Sequence, residues 1–494
     1  MFITKESTDM KNKIMLLALA SILSVSCSKE FIRINPVSTV STEILYKTDK
    51  DYFDALVGSY AVFQTEYNNM WQYGDLRGDD TRAGLVSNLT ASDMDKFILN
   101  NDAGILLTTW QNYYNVINRV NTILSRIETA DPAVIKNKDQ YTGEAKFIRA
   151  LAYFNLVRIF GNVPMPTTTI SAAQAYKTGR EKADKIYDEV IVKDLVDAEK
   201  KLPLKYPASE VGRATQGAAK SLLGKVYLTR RDFPNAETKL REVTTMGYAL
   251  LRNFNDLFDY TKDEHHSEYI FDIEYEQGVN EGSIFTTQFS LSFQGAGVLA
   301  NVMAAAYGLP PAGGGDQGSP SESFMAAFDP TDLRKDISVA TGLTVNGVYT
   351  PISTTGIGSF TKKYLTPIPR ANDSRANWKV IRYADVLLMY AEALNENGKT
   401  AEAHNFLNQV RTRAGLKPYS NPSKDDTREA IYQERRFELH MEGHRWFDLV
   451  RTGRALSVMQ PYGMKPHMTV FPIPQSQIEI INNRDVFPQN EGYQ

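Results

Sequence analysis

Among 494 residues there is a single cysteine, so the chain cannot close an internal disulfide. At this length it buries enough apolar surface to fold without such a staple. It also lacks a charge surplus: 55 Lys and Arg stand against 58 Asp and Glu, a formal net charge of -3. Without a domain-scale basic excess nothing displaces phosphate counterions, which argues against a nucleic-acid partner. Tryptophan is scarce, with 4 copies. Beyond Cys27 no apolar run reaches the roughly 20 residues that a membrane-crossing helix needs. Tyrosine, by contrast, occurs 26 times. Its ring offers an apolar face and a polar tip, which suits contact with sugars or peptides and equally suits a core.

The N-terminus carries the first positive signal. Lys11 and Lys13 precede an apolar run from Ile14 to Val25, followed by Ser26 and Cys27. A short basic region, about a dozen apolar residues and small residues at a cleavage point predict a secretory signal over 1–26, with Met10 the expected true start. Cys27, directly after Ser24, Val25 and Ser26, resembles the cysteine of a bacterial lipobox, although Ser24 stands where Leu is commoner. Acylation of its thiol would hold the mature chain on a membrane. Residues 27–41 are polar and proline-containing and predict an extended tether; 42–494 is expected to be one domain.

Within that domain helical periodicity dominates. Trp110, Tyr113, Tyr114, Ile117, Val120 and Leu124 recur at three- and four-residue steps. Ala145, Ile148, Ala152, Phe154 and Leu156 form a similar stripe that stops at Gly161, with Pro164 and Pro166 beyond. Asp184 to Leu202 predicts a third helix. Gly224 and Tyr227, with Ala236 further on, match Ala391, Leu394 and Ala403 in spacing. These are the small-residue positions of tetratricopeptide helix pairs, where close approach of two helices excludes a larger side chain. Their dispersion predicts one mainly α domain with insertions rather than an open solenoid. Trp110 and Trp378 are read as core residues on helical stripes.

Periodicity fades near 67–101 and 277–360, where Gly, Asn, Ser, Thr and Pro rise; long irregular segments on a compact scaffold are often functional. Between them Tyr269 to Tyr275 alternates apolar and polar residues like a short strand. The first irregular region holds Trp71, Tyr73, Asp75, Asp79, Asp80 and Arg82. Aromatic faces stack on pyranose rings, while carboxylates and guanidinium groups read hydroxyls in pairs. Phe293, Gln294 and Tyr307 are the corresponding candidates in the second region.

Catalytic readings are weaker. His440 and His444 stand four apart, but Glu442 follows the first histidine by two rather than one, unlike the zinc-protease helix. Glu434, Arg435, Arg436, Glu438, Glu442, Arg445, Asp448 and Arg451 predict an ion-pair network, with Glu438 facing Glu442 and Arg445 facing Asp448 at helical spacing. Gly313 to Gly318 lacks the Lys and Ser/Thr ending of a phosphate loop. Asp79 and Asp80 are adjacent, whereas a glycosidase needs two acids about 5–10 Å apart across the scissile bond.

Several blocks taken together resemble the SusD/RagB family of surface lipoproteins in Bacteroidetes nutrient uptake. They are Arg149 to Phe154 with Phe160 to Pro164; Gly212 to Thr215 with Ala218, Ala219 and Leu222; Arg382 to Leu388 with Ala391 to Ala393 and Asn408 to Gly415; and Glu434 to Leu439 with Glu442 to Arg451. Pro472, Ile473 and Pro474 follow. The resemblance implies a tetratricopeptide-like scaffold with a loop-rich, SusD-like binding half, and places the Trp71 to Arg82 segment near the ligand site. It implies an oligosaccharide ligand, a SusC-type TonB-dependent transporter as partner, an outer-membrane lipid anchor through Cys27 facing the exterior, and no catalysis or cofactor, though a structural calcium ion is open. A peptide-binding RagB-like member is the alternative, with a surface glycoside hydrolase behind it.

Overall fold

The computed structural model describes residues 45–84, 89–292, 297–310, 313–352 and 358–493. The signal, Cys27 and the tether therefore lie outside the described residues, as do Phe293 and Gln294.

Helix α1 (Asp49–Tyr67) starts where Thr48 and Asp51 cap each other, the Thr48 hydroxyl accepting from Asp51 N and the Asp51 carboxylate from Thr48 N. It leads into α2 (Gly104–Glu128) and α3 (Lys138–Phe160), the two expected stripes with one to two extra turns at their starts. Trp110 is buried in α2 as expected. Gly161, at φ 71°, ends α3. The chain beyond is strapped back by Tyr114, which donates to the Pro164 carbonyl (2.7 Å), and Tyr153, which donates to that of Pro166 (2.8 Å).

The predicted third helix is present but carries a π-turn at Tyr187–Ile191 before α4 (Val192–Lys201). Arg149 ties three helices together. It grips Asp194 through Nε (2.7 Å) and Nη2 (2.9 Å), and Asn121 through Nη1 (2.8 Å).

The two helix pairs expected from small-residue spacing are α5 (Gln216–Thr229) with α6 (Phe233–Thr244), and α7 (Tyr383–Glu396) with α8 (Thr400–Arg413). A Cβ on Gly224 would stand 2.6 Å from Leu240 Cδ2, so glycine is what lets α5 and α6 approach. Each helix packs on its successor, and α6 packs on α7 across the whole stretch 245–382. The scaffold is thus a tetratricopeptide-like stack with its large insertion set to one side. Helices α9 (Lys424–Glu438) and α10 (Arg445–Arg451) close it.

The strand expected at Tyr269–Tyr275 is β2 (Tyr269–Ile273), following β1 (Thr81–Arg82). In chain order β3 (Ser319–Pro320), the hairpin β4 (Gly342–Val345) and β5 (Val348–Pro351), and β6 (Trp378–Arg382) complete the set. Strand β2 pairs antiparallel with β6, Ile273 opposite Trp378. Trp378 is therefore core, but on a strand rather than a helical stripe: it continues into α7, whose periodicity its position mimics. The second irregular region is less bare than its composition suggests. A helix at Val298–Tyr307 and the β4–β5 hairpin share a separate apolar cluster of Leu291, Leu299, Met303, Leu343 and Phe360.

Candidate functional site

The loop-built half rests on a buried ionic floor. Arg382 on β6 donates to Glu442 through Nε (2.7 Å) and Nη2 (3.0 Å), and to Glu268 through Nη1 (2.8 Å). Glu438, at the end of α9, accepts from Arg334 (2.9 Å), Arg382 (2.5 Å) and Arg413. Lys363 reaches Glu442 at 2.7 Å. The charged block forms an ion-pair network as expected, with two corrections. Helix α9 ends at Glu438, so Glu442 stands in the following turn and meets the Glu438 carboxylate through the shared Arg382. Arg445 turns away from Asp448 and grips Asp79 instead, while Asp448 pairs with Arg435 and Arg451. Helical spacing could not reveal a partner so distant in sequence.

The same geometry corrects the reading of the first irregular region. Trp71 and Tyr73 are fully buried, Trp71 edge-on to Phe289 and Tyr73 donating to Thr109 (3.0 Å). A ring with no exposed face has none to offer a sugar. Asp75 is 1% exposed and accepts from Gly443 N at 2.7 Å; burial pushes its carboxyl well above the usual range. Asp79 is buried against Arg445 (2.7 and 2.9 Å). Burial alone would raise its carboxyl, but the Arg445 and Arg436 guanidiniums hold it below the usual value. Asp80 receives Arg436 Nε at 2.6 Å, and there burial wins and the carboxyl is raised. These five residues fasten the loop half to the scaffold.

Arg82 is the member of the set that reaches the surface. Its guanidinium carbon lies 4.4 Å from the centroid of the Tyr462 ring, which is 38% exposed. Asp95 stands beside it, 3.7 Å from Nη1, and accepts from Ala83 N. Gly84 donates to the Gln317 side chain, and a Cβ there would collide with the Asp316 carbonyl, so the end of β1 and the 313–318 loop lie in close contact. An aromatic face, a guanidinium and a carboxylate thus share one rim, while the Gln317 amide is buried between Gly84 and Gly315. Spacing did not single out Tyr462. Its signal was the turn Gln460 to Gly463, where Pro461 and a left-handed glycine (φ 102°) project the residue between them.

Tyr307 is half-buried against the second apolar cluster, and its carbonyl accepts from Ile368 N (2.9 Å). His440 and His444 are both buried, which pushes His440 well below its ordinary value and His444 down to about 3. Both are held neutral. His440 stacks on Phe324 (4.3 Å) and contacts the Thr81 hydroxyl. Among the described residues they meet no third ligand; the cluster of metal-ligand type is Glu264, His265 and Glu274.

On the helical side lies a groove of about 560 Å³ between α2, the 164–178 segment and the helix Gln475–Ile481. Its lining has no charged side chain and includes Trp110, Tyr114, Asn118, Tyr176 and Gln477.

The mainly helical, tetratricopeptide-like fold is that of SusD-like proteins. The stretch 353–493 matches the family described as SusD family, and 41–228 the family described as "Starch-binding associating with outer membrane". The chain belongs to the SusD/RagB family. A SusD-like protein of Formosa agariphila is 27% identical over 93% of this chain and 95% of its own length. A solved laminarin-binding SusD-like protein is 28% identical, covers 91% of this chain and 100% of its own, and superposes with a TM-score of 0.74. The surface glycan-binding protein A of Bacteroides thetaiotaomicron, solved with laminarihexaose, shares the fold at 22% identity, 90% and 99% coverage and a TM-score of 0.75.

Proposed function

We propose that this protein captures oligosaccharides at the cell surface, without cleaving them, and delivers them to a SusC-type TonB-dependent outer-membrane transporter. It would be held at the membrane by acylated Cys27, facing the exterior. The observation that carries the reading is the near end-to-end likeness to a laminarin-binding relative at 28% identity. The capture surface is the rim of Arg82, Tyr462 and Asp95. Arg82 lies over the Tyr462 ring, whose remaining exposed surface suits a pyranose, while Arg82 and Asp95 supply paired hydroxyl contacts.

Isothermal titration with laminari-, malto- and xylo-oligosaccharides, followed by chromatography of the recovered sugar, tests this. Retention of an intact glycan is expected. Shortened chains would point to a hydrolase, and binding of peptides with no glycan retained would point to a RagB-like receptor. A second location is favoured by one feature, the uncharged, amide-bearing lining of the groove beside Tyr176. If Tyr176→Ala rather than Tyr462→Ala abolishes binding, the glycan lies there.

A further inference from the structure

The loop before β2 and the residue that follows the strand bring three ligand-type side chains together. One ligand atom each from Glu264, His265 and Glu274 lie within 4.8 Å of one another. His265 Nε2 is 3.1 Å from Glu274, and Nδ1 is 3.9 Å from Glu264. Each side chain is about one-third exposed (37%, 34% and 32%), enough for an ion to reach them and for rotamers to tighten.

Two independent observations suggest that something is held here. Asn377 acts as a bracket. Tyr275 N donates to its Oδ1 (2.7 Å), which turns the amide NH2 toward both glutamates, at 2.8 Å from Glu274 and 3.4 Å from Glu264. A side chain that holds two like charges side by side works against their repulsion. The surroundings do not relieve it. Asp263 (6% exposed) and Asp272 (4% exposed) each keep one carboxylate oxygen buried and without a partner, and the ring of Tyr269 lies edge-on to His265 at 5.1 Å. Against four carboxylates stand two cations, Arg375 (3.8 Å from Glu264) and Lys379 (3.4 Å from Asp272). With His265 neutral, as a metal ligand must be, the carboxyl groups outnumber the cations by two.

We propose that Glu264, His265 and Glu274 form a binding site for a divalent transition metal of the zinc type. The donor set sets the class. One imidazole nitrogen and two carboxylates with an open fourth position suit Zn²⁺, whereas Ca²⁺ takes six to eight oxygens and Mg²⁺ a water-rich octahedron. Asn377 is the outer partner that orients the two carboxylates. The ion would clip the loop at 263–266 to the end of β2, through residues that are not among those of the glycan rim.

Equilibrium dialysis of the tag-free chain against Zn²⁺, and Co²⁺ absorption as a spectroscopic stand-in, test it. Expected are one ion per chain, visible Co²⁺ bands of four-coordinate intensity, loss of both in His265→Ala, and affinity about 10- to 100-fold weaker in Asn377→Leu. Circular dichroism confirms that each variant is folded. Glycan affinity should be unmoved, which separates this proposal from the capture reading. Absence of stoichiometric uptake, uptake unchanged by His265→Ala, or displacement of Zn²⁺ by equimolar Ca²⁺ would each overturn it.

Discussion

Arg445 and Asp79 form a two-pronged ion pair, Nε to Oδ1 at 2.7 Å and Nη2 to Oδ2 at 2.9 Å, that joins the C-terminal charged block to the foot of β1. Both residues are buried, and Asp80 adds a further contact to Arg445 at 3.2 Å. Removing one partner of a buried pair leaves the other charge uncompensated. Asp79→Asn should therefore lower unfolding free energy by about 3 kcal/mol in urea titration. Glycan affinity measured well below the melting temperature should stay close to wild type. A variant that keeps its stability but loses the glycan would return Asp79 to the binding site.

Glu438 carries more of the floor. Burial works to raise its carboxyl, but Arg413, Arg382 and Arg334 overcome that and hold it well below the usual range. A carboxyl depressed in the folded state contributes stability above its unfolded value near 4.5, and that contribution fades as pH falls toward the folded value. Glu438→Ala should cost about 3–5 kcal/mol near pH 7, with a smaller penalty at pH 3, and leave glycan affinity unchanged where the variant is folded. Denaturant titrations at the two pH values read the difference.

These two residues mark how far the sequence could be read. Helices α2 and α3, the Gly224 and Ala391 pairs and the turn at Gly161 declare themselves because their causes are local: a period, a small residue, a breaker. The charged block was legible as a network for the same reason. Its partners were not. Asp79 and Asp80 sit in a polar, glycine-bearing segment that chemistry alone assigns equally to a ligand or to a distant arginine, and only the fold brings Arg436 and Arg445 to them. Arg82 and Tyr462 meet only in three dimensions, so the surviving candidate surface was half visible.

Tyr462 tests that surface directly. Exposed at a turn and packed on Arg82, it can be truncated without opening a core cavity. Tyr462→Ala should weaken glycan binding about tenfold, equivalent to about 1.4 kcal/mol, while Tyr462→Phe retains most of it. The melting temperature should move little in either.

Gly74 should tolerate no side chain. A Cβ there would collide with the Gly443 backbone, which cannot yield as a side-chain tip would. The π-turn at Gln72–Leu76 and the turn carrying Gly443 lie in direct contact, and Asp75 is bonded to Gly443 N. Gly74→Ala should cost several kcal/mol, roughly the range of overpacked cores or more. The expected readout is reduced soluble yield and a lower melting temperature, and an unaltered melting temperature would mean the two turns can separate.

Glu66 supplies the pH signature of the helical half. Near the C-terminus of α1 it is 1% exposed, accepting from Thr109 (2.7 Å) and Asn112 (3.2 Å), with no cation paired to it among the described residues. Burial pushes its carboxyl up to about 7, and the two hydrogen bonds offset only part of the shift. The folded state therefore keeps this proton over a range where the unfolded chain, near 4.5, has released it. The contribution of Glu66 to stability falls as pH rises from about 4.5 to 7, by about 3 kcal/mol in all, at about 1.36 kcal/mol per pH unit. Glu66→Gln keeps the shape and cannot ionise. It should match wild type at pH 4.5 and exceed it at pH 8, with the gap opening between those values. Equal melting temperatures at pH 8 would mean that Glu66 ionises in place at little cost.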